Sequence, residues 1–154
     1  MGGKKDRYPL HLISNQPEYR LHGHLDNAEY SLKNKIKDRE PVLINSKDAK
    51  DRSIKNNDIV LIHNKRGRVL AGARLSDSIM KGVLILSTGA WFDPDYEINL
   101  DLHGNPNVLT KDVGTSELAQ GPTSHTCLVE IRKAKQSEIK KVKIFIKPNM
   151  QKKA

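Results

Sequence analysis

The sequence predicts a mainly β chain folded as a closed or nearly closed barrel. Three observations carry that expectation. Short apolar runs recur at close spacing, a Gly-containing turn at Asn64–Gly67 joins two β-branched runs, and helical patterns are few and short. A parallel doubly wound sheet would instead need helices of useful length between its strands.

The elements follow in order. Leu10, Leu12 and Ile13 form a short apolar stretch that stops at the loop signal Ser14-Asn15-Gln16-Pro17. Asp26 or Asn27 is placed to cap a short helix over Ala28–Ile36. Pro41–Asn45 reads as a strand, and Ser46 as the N-cap of a helix opening at Lys47-Asp48-Ala49. Asp58–His63 and Arg68–Leu75 flank the turn, the second placing Val69, Ala71, Ala73 and Leu75 on one face. Lys81-Gly82 turns the chain into Val83–Leu86, and Thr126–Ile131 is the last strand of the body. Beyond it Val142, Ile144 and Ile146 share a face against lysines, a pattern for an edge strand ended by Pro148. Two segments are not strand-like: Ser14–Leu25 and the long polar stretch His103–Gly121, which has the character of a binding loop.

The chain has 154 residues and a formal charge of +9, so one domain is expected. The charge is uneven. Residues 132–154 carry +8 and residues 1–7 carry +2, leaving −1 for residues 8–131. The body is therefore not a broad phosphate-binding surface, and the Lys-rich end reads as a solvated tail. This divides the chain into an N-terminal tail (1–7), a barrel domain (8–131) and a Lys-rich extension (132–154). The apolar runs are too short to span a bilayer, and no apolar stretch follows the basic start as a signal peptide requires. One cysteine, Cys127, excludes an internal disulfide.

Common catalytic chemistries find no support. His22 and His24 with a lone cysteine fall short of a zinc set, and His11, His63, His103 and His125 read as polar histidines. No Gly-rich phosphate motif occurs, and Ser116 and Ser124 lack a nucleophile context. Cys127 reads as a small buried residue, Asp93 and Asp95 as turn chemistry, and Trp91-Phe92 as a core anchor. What is left is a set of amides and hydroxyls: Asn15, Gln16, Asn105, Asn107, Thr110, Ser116 and Gln120, with Arg20 and His22. Such groups suit a large polar heterocycle, neutral amides reading its edge and Arg20 pairing with a phosphate. Alternatively they only satisfy their own loops.

Read together, Leu12-Ile-Ser-Asn-Gln-Pro-Glu-Tyr-Arg-Leu-His22, Asn64-Lys-Arg-Gly-Arg-Val-Leu-Ala-Gly-Ala and Ser87-Thr-Gly-Ala-Trp-Phe-Asp-Pro resemble the C-terminal domain of molybdopterin oxidoreductases. So do Gly104–Gly121 and Cys127-Leu-Val-Glu-Ile; the likeness runs from Tyr8 to Ile131. Within that family it is most similar to the dimethyl sulfoxide, trimethylamine N-oxide and biotin sulfoxide reductases, the Asn105–Gly121 string being nearest the last.

The resemblance implies a six-stranded double-psi β-barrel with a few short helices and long polar loops. It implies a bis-molybdopterin guanine dinucleotide cofactor, contacted by Ser14, Asn15, Gln16, Arg20, His22, Gly23 and His24 on one loop. Asn105, Asn107, Ser116, Gln120 and Gly121 would contact it from a second. Gln16 and His24 stand where many relatives carry His and Gln, and Gly23 often matches Ser. The protein ligand to molybdenum, a serine in this branch, belongs to an upstream region that nothing here matches. The implied role is thus the cofactor-covering part of a bacterial S- or N-oxide reductase, inactive alone and joined to upstream domains. The isolated chain is expected to be monomeric and soluble, the parent cytoplasmic or periplasmic. Rival readings are an independent double-psi barrel serving as a binding module or small subunit, and a basic nucleic-acid adaptor.

Overall fold

In the computed structural model, residues 7–121, 123 and 126–146 are described. The first six residues, Ser124, His125 and the Lys-rich end from Lys147, including Pro148, lie outside them.

Six strands close into a barrel: β1 (Leu10–Ile13), β2 (Pro41–Ile44), β3 (Ile59–His63), β4 (Arg68–Leu75), β5 (Val83–Leu86) and, last in the chain, Cys127–Lys133. Two two-residue strands precede that last strand, so it is β8; β6 is Pro94–Asp95 and β7 is Leu100–Asp101. Around the barrel the order is β2, β5, β1, β8, β3, β4, and β4 returns to β2. The pairs β1–β5 and β2–β4 are parallel, and the other barrel pairs are antiparallel. Two parallel pairs within a closed six-stranded barrel give the double-psi arrangement.

Alternation decides what fills the interior. Leu10, Leu12, Val42, Ile44, Val60, Ile62, Val69, Ala71, Ala73, Leu84, Leu86, Val129 and Ile131 are buried together in it. β3 and β4 are covered on their outer face too. There Leu61 and Leu70 join Leu100, Leu102 and Ala134 in a second cluster. Burial on both sides explains why Ile59-Val-Leu-Ile reads as an unbroken apolar run. The β6–β7 hairpin brings part of that cover, through the pairing of Val69 with Asp101.

Local chemistry moved several boundaries. Asn45, not Ser46, caps the helix α2 (Ser46–Asp51), its side-chain oxygen accepting from Lys47 N at 2.9 Å. Helix α1 is only Glu29–Lys33, and neither Asp26 nor Asn27 caps it: its N-cap is Ala28, without a side-chain bond. Asp26 is drawn inward, where Lys35 and Ser31 reach it. The β6–β7 hairpin was missed because two residues carry no period.

The extension differs most from expectation. Arg132 and Lys133 belong to β8, Ala134, Glu138 and Val142 are buried, and Arg68 and Arg132 both bond Glu138 at 2.6–2.7 Å. Up to Ile146 it is a packed strap and not a solvated tail. Val142–Ile146 is no edge strand either. The N–H groups of Lys143 and Ile144 donate to the Asp93 carboxylate (2.6 and 3.3 Å), and Arg39 donates to Lys140 O. A carboxylate thus takes the donors that a neighbouring strand would have used.

Gly72 closes the barrel at one point, pairing with Pro41 on β2 and Ile59 on β3. A Cβ added there would collide with Ile36 Cβ, which cannot swing away as a side-chain tip could. Gly72→Ala should therefore lower stability by about 1–3 kcal/mol through overpacking. Urea unfolding read by circular dichroism checks this, and an unchanged midpoint would show that Ile36 shifts freely.

Candidate functional site

The first loop leaves β1 at Ile13 and lies along the chain that follows β5. Thr88 N donates to Asn15 O at 2.9 Å, and Ser87 Oγ donates to the Asn15 side-chain oxygen at 2.9 Å. Further on, the backbones of His22-Gly23 and Gly89 come so close that a Cβ on Gly89 (φ +86°) would overlap them. His22 itself has φ +48°, and Arg20 Nε donates to its carbonyl at 3.0 Å. Trp91 Nε1 donates to Gly23 O at 2.7 Å. Trp91 is therefore a half-buried brace for the loop, and its neighbour Phe92 is exposed; neither is a plain core anchor.

Beneath the loop sits a buried charge cluster. Arg20 contacts Asp26 at 3.3 Å and Glu40 at 3.1 Å, and Lys35 contacts the same two carboxylates at 2.7 and 2.9 Å. All four side chains are at most 2% exposed, and two cations balance two anions. Arg20 also donates to Thr88 O. Burial by itself would raise the Asp26 pKa; the Lys35 hydrogen bond and charge, with the Trp91 N–H, outweigh it and hold the carboxyl below its ordinary value. The guanidinium read from sequence as a phosphate partner is thus enclosed and engaged with its own chain.

His103 completes the cluster. It is fully buried, 3.7 Å from Asp26, and its Nδ1 lies 2.8 Å from Trp91 O. A carbonyl can only accept, so Nδ1 carries the proton, and Nε2 is left with no hydrogen-bond partner among the described residues. Burial, aided by the Lys35 charge, pushes the His103 pKa down. Phe145 from the strap packs edge-on to His103 at 4.8 Å, near Trp91 and under Lys35. The strap therefore seals the cluster that supports the loop.

What faces outward is mostly amide and imidazole, with Glu18 the one exposed carboxylate of the loop. Gln16, His22 and His24 are exposed and their side chains have no hydrogen-bond partner among the described residues; Asn15 is exposed, Ser14 and Gly23 half-buried. A cleft of about 140 Å³ beside Asn15 is lined by polar and charged groups, Asn15, Glu18, Tyr19, Glu40, Arg74 and Ser87 among them.

The second loop begins from Asp101, whose Oδ2 accepts from Gly104 N (2.9 Å) and Asn105 N (2.7 Å). Asn105 caps the 3-10 turn Pro106–Val108 by accepting from Asn107 N. Ser116 accepts from Ala119 N, Gln120 donates to Ser116 O, and Gly121 O accepts from Thr115 N. Asn105, Ser116 and Gln120 thus satisfy their own loop, while Asn107, Ser116, Gln120 and Gly121 are exposed. Among the described residues no hydrogen bond joins the two loops, and no group of three or more metal-ligating side chains occurs.

Sequence reasoning missed Asp26, Lys35, Glu40 and His103 as the loop's support. The one partial signal was Glu40 itself, a glutamate abutting the largely buried strand Pro41–Ile44, though nothing near it in sequence marks it as buried. Cys127 is buried as expected, with burial raising its thiol pKa, and Asp95 serves a turn by accepting from Glu97 N.

A closed barrel that displays two long loops rich in exposed hydrogen-bonding groups fits a ligand-binding domain. The sequence model of the "Molydopterin dinucleotide binding domain" matches residues 10–128, and the chain belongs to that molybdopterin dinucleotide binding family. It is 48% identical over 136 residues to trimethylamine-N-oxide reductase of Haemophilus influenzae, covering 86% of this chain and 16% of that protein. To biotin sulfoxide reductase of Cereibacter sphaeroides it is 48% identical over 129 residues, covering 84% of this chain and 17% of that one. The chain thus spans about a sixth of these relatives. Acetylene hydratase from Pelobacter acetylenicus shares the fold, with a TM-score of 0.68 at 14% identity over 84% of this chain and 19% of that one.

Two outcomes test the cluster. Lys35→Met, which leaves two buried carboxylates short of a cation, should cost about 3–5 kcal/mol in urea unfolding. No loss would mean that the pair is solvated. The second concerns pH. The unfolded chain binds a proton at His103 near its ordinary 6.5, while the folded imidazole resists it. Stability is therefore full above 6.5 and falls as pH drops below it. His63, also depressed by burial, adds to the fall. Comparison with His103→Asn isolates the His103 share: midpoints at pH 8 and pH 5 should differ less in the variant, and equal differences would refute the assignment.

Proposed function

We propose that this chain is the barrel that covers a bis-molybdopterin guanine dinucleotide in a bacterial molybdenum S- or N-oxide reductase, and that it is inactive alone. The observation that carries the reading is the segregation of charge on the first loop. Asn15, Gln16, His22 and His24 face outward as hydrogen-bonding groups, with Glu18 the exposed carboxylate among them, while Arg20 and its counter-ions are sealed behind. That donor set fits a cofactor rich in ring nitrogens, carbonyls and amino groups.

In this reading Ser14, Asn15, Gln16, His22, Gly23 and His24 hold the cofactor from one side. Asn105, Asn107, Ser116, Gln120 and Gly121 hold it from the other, Asn107 and Gln120 through side chains and Gly121 through its backbone. Arg20 is a positioning residue: it fixes the His22 carbonyl and the Thr88 turn from below. When bound, the cofactor supplies the oxygen-atom chemistry, two electrons and two protons converting the oxide to its reduced form and water. The barrel, residues 8–131 with the strap, binds, orients and keeps water out. The remaining domains, the molybdenum ligand and the oxide pocket belong to the longer enzyme, in the cytoplasm or periplasm. Among the described residues no helix is long and apolar enough to cross a membrane.

A chimera tests this. Residues 8–146 would replace the matching barrel of a trimethylamine-N-oxide reductase, with guanosine monophosphate released by acid hydrolysis as the measure of cofactor content. Full content and N-oxide reduction are expected, with content reduced several-fold by the pair Gln16→Ala and His22→Ala. A folded chimera without guanine nucleotide, or reductase turnover by the 154-residue chain alone, would contradict the reading.

A further inference from the structure

A second cleft, of about 180 Å³, lies away from the first loop and is used by nothing described above. It is lined by Tyr8 before β1, Asn64, Lys65 and Arg66 of the β3–β4 turn, Lys111 of the second loop, and Thr126 and Leu128 at the start of β8. Its three cations differ from most others in the body. Arg20, Lys35, Arg52, Arg68 and Arg132 each face a carboxylate, but Lys65, Arg66 and Lys111 have no carboxylate partner among the described residues.

Arg66 is also held in place. Its Nε donates to Leu109 O at 2.5 Å, Nη2 lies 3.6 Å from Cys127 Sγ, and its backbone N–H donates to Asn64 Oδ1 at 2.8 Å. Asn64 is buried and ties the same turn to Leu109 O and Leu128 O. One wall is therefore a preorganised guanidinium, not a freely waving side chain. Arg66 and Lys111 both line the cleft, one from the β3–β4 turn and one from the second loop. Tyr8 and Leu128 supply an apolar flank, with Arg7 over the Tyr8 ring at 5.6 Å.

We propose that this cleft is a binding site for a phosphoryl anion carried on an organic group, the phosphate bridge of a dinucleotide in the first instance. Three unpaired cations around one concavity favour a multiply charged oxyanion, and a fixed guanidinium favours the planar two-point contact that phosphate accepts. The cleft thus takes the part that the sequence assigned to Arg20. The source of the phosphate rests on the proposed function; the anion site itself does not.

The test uses ¹H–¹⁵N spectra of the full 154-residue chain, titrated separately with pyrophosphate and with guanosine diphosphate at constant ionic strength. Both should give saturable shifts at Lys65, Arg66, Lys111 and Leu128 and leave Lys47 and Lys50 of α2 unmoved. Guanosine diphosphate should also move Ser14–His24 or, clear of the cleft, Ser116–Gly121. The double variant Lys65→Gln and Lys111→Gln keeps the Arg66–Leu109 bond, and should bind pyrophosphate about ten-fold more weakly, roughly 1.4 kcal/mol, with an unchanged melting point. Shifts spread evenly over surface lysines, or none at the cleft, would overturn the site. Loop shifts with a silent cleft would keep the dinucleotide reading and discard this one. Cleft shifts with pyrophosphate and unmoved loops with guanosine diphosphate would keep the site and count against the cofactor as its source.

Discussion

Two cations and two carboxylates, sealed from water, set the shape of the loop that faces outward. Arg20 and Lys35 each touch both Asp26 and Glu40, so no member can leave without stranding another. The four come from different places in the barrel. Arg20 lies on the first loop, Asp26 and Lys35 flank α1, and Glu40 immediately precedes β2. The cluster joins these segments at one point, and Trp91 extends it to Gly23 and His103. A loop with a left-handed His22 needs such over-determination to hold one conformation.

The strap makes this arrangement possible. A buried charge cluster next to a sheet edge would normally admit water. Phe145 closes it, while Asp93 and Arg39 hold the strap's backbone on either side. Lys140, Lys141 and Lys143 are compatible with this, since their side chains reach solvent or neighbouring acids while the backbone is pinned. Lys140 shows it directly, its Nζ 2.6 Å from Asp95 while its carbonyl accepts from Arg39.

The barrel was legible because its strands obey a simple period. Val69, Ala71 and Ala73 face in, and the turn Asn64–Gly67 announces the β3–β4 hairpin. The outward donors of the first loop were legible as well, since an Asn-Gln-Pro stretch with two histidines after a strand has few structural uses. The cluster was not. Lys35 and Glu40 lie near each other in a stretch of ordinary surface composition, and only their folding against Arg20 and Asp26 reveals them as buried.

Composition and pattern by themselves determined the class of fold, the six barrel strands, the two loops and the electrical neutrality of the body, because periodicity and charge sums are local quantities. Tertiary structure decided which charges are enclosed with counter-ions and which stay at the surface. Arg20 went inward, and among the described residues Lys65, Arg66 and Lys111 have no carboxylate partner, since that choice depends on which distant carboxylates the barrel closure brings within reach.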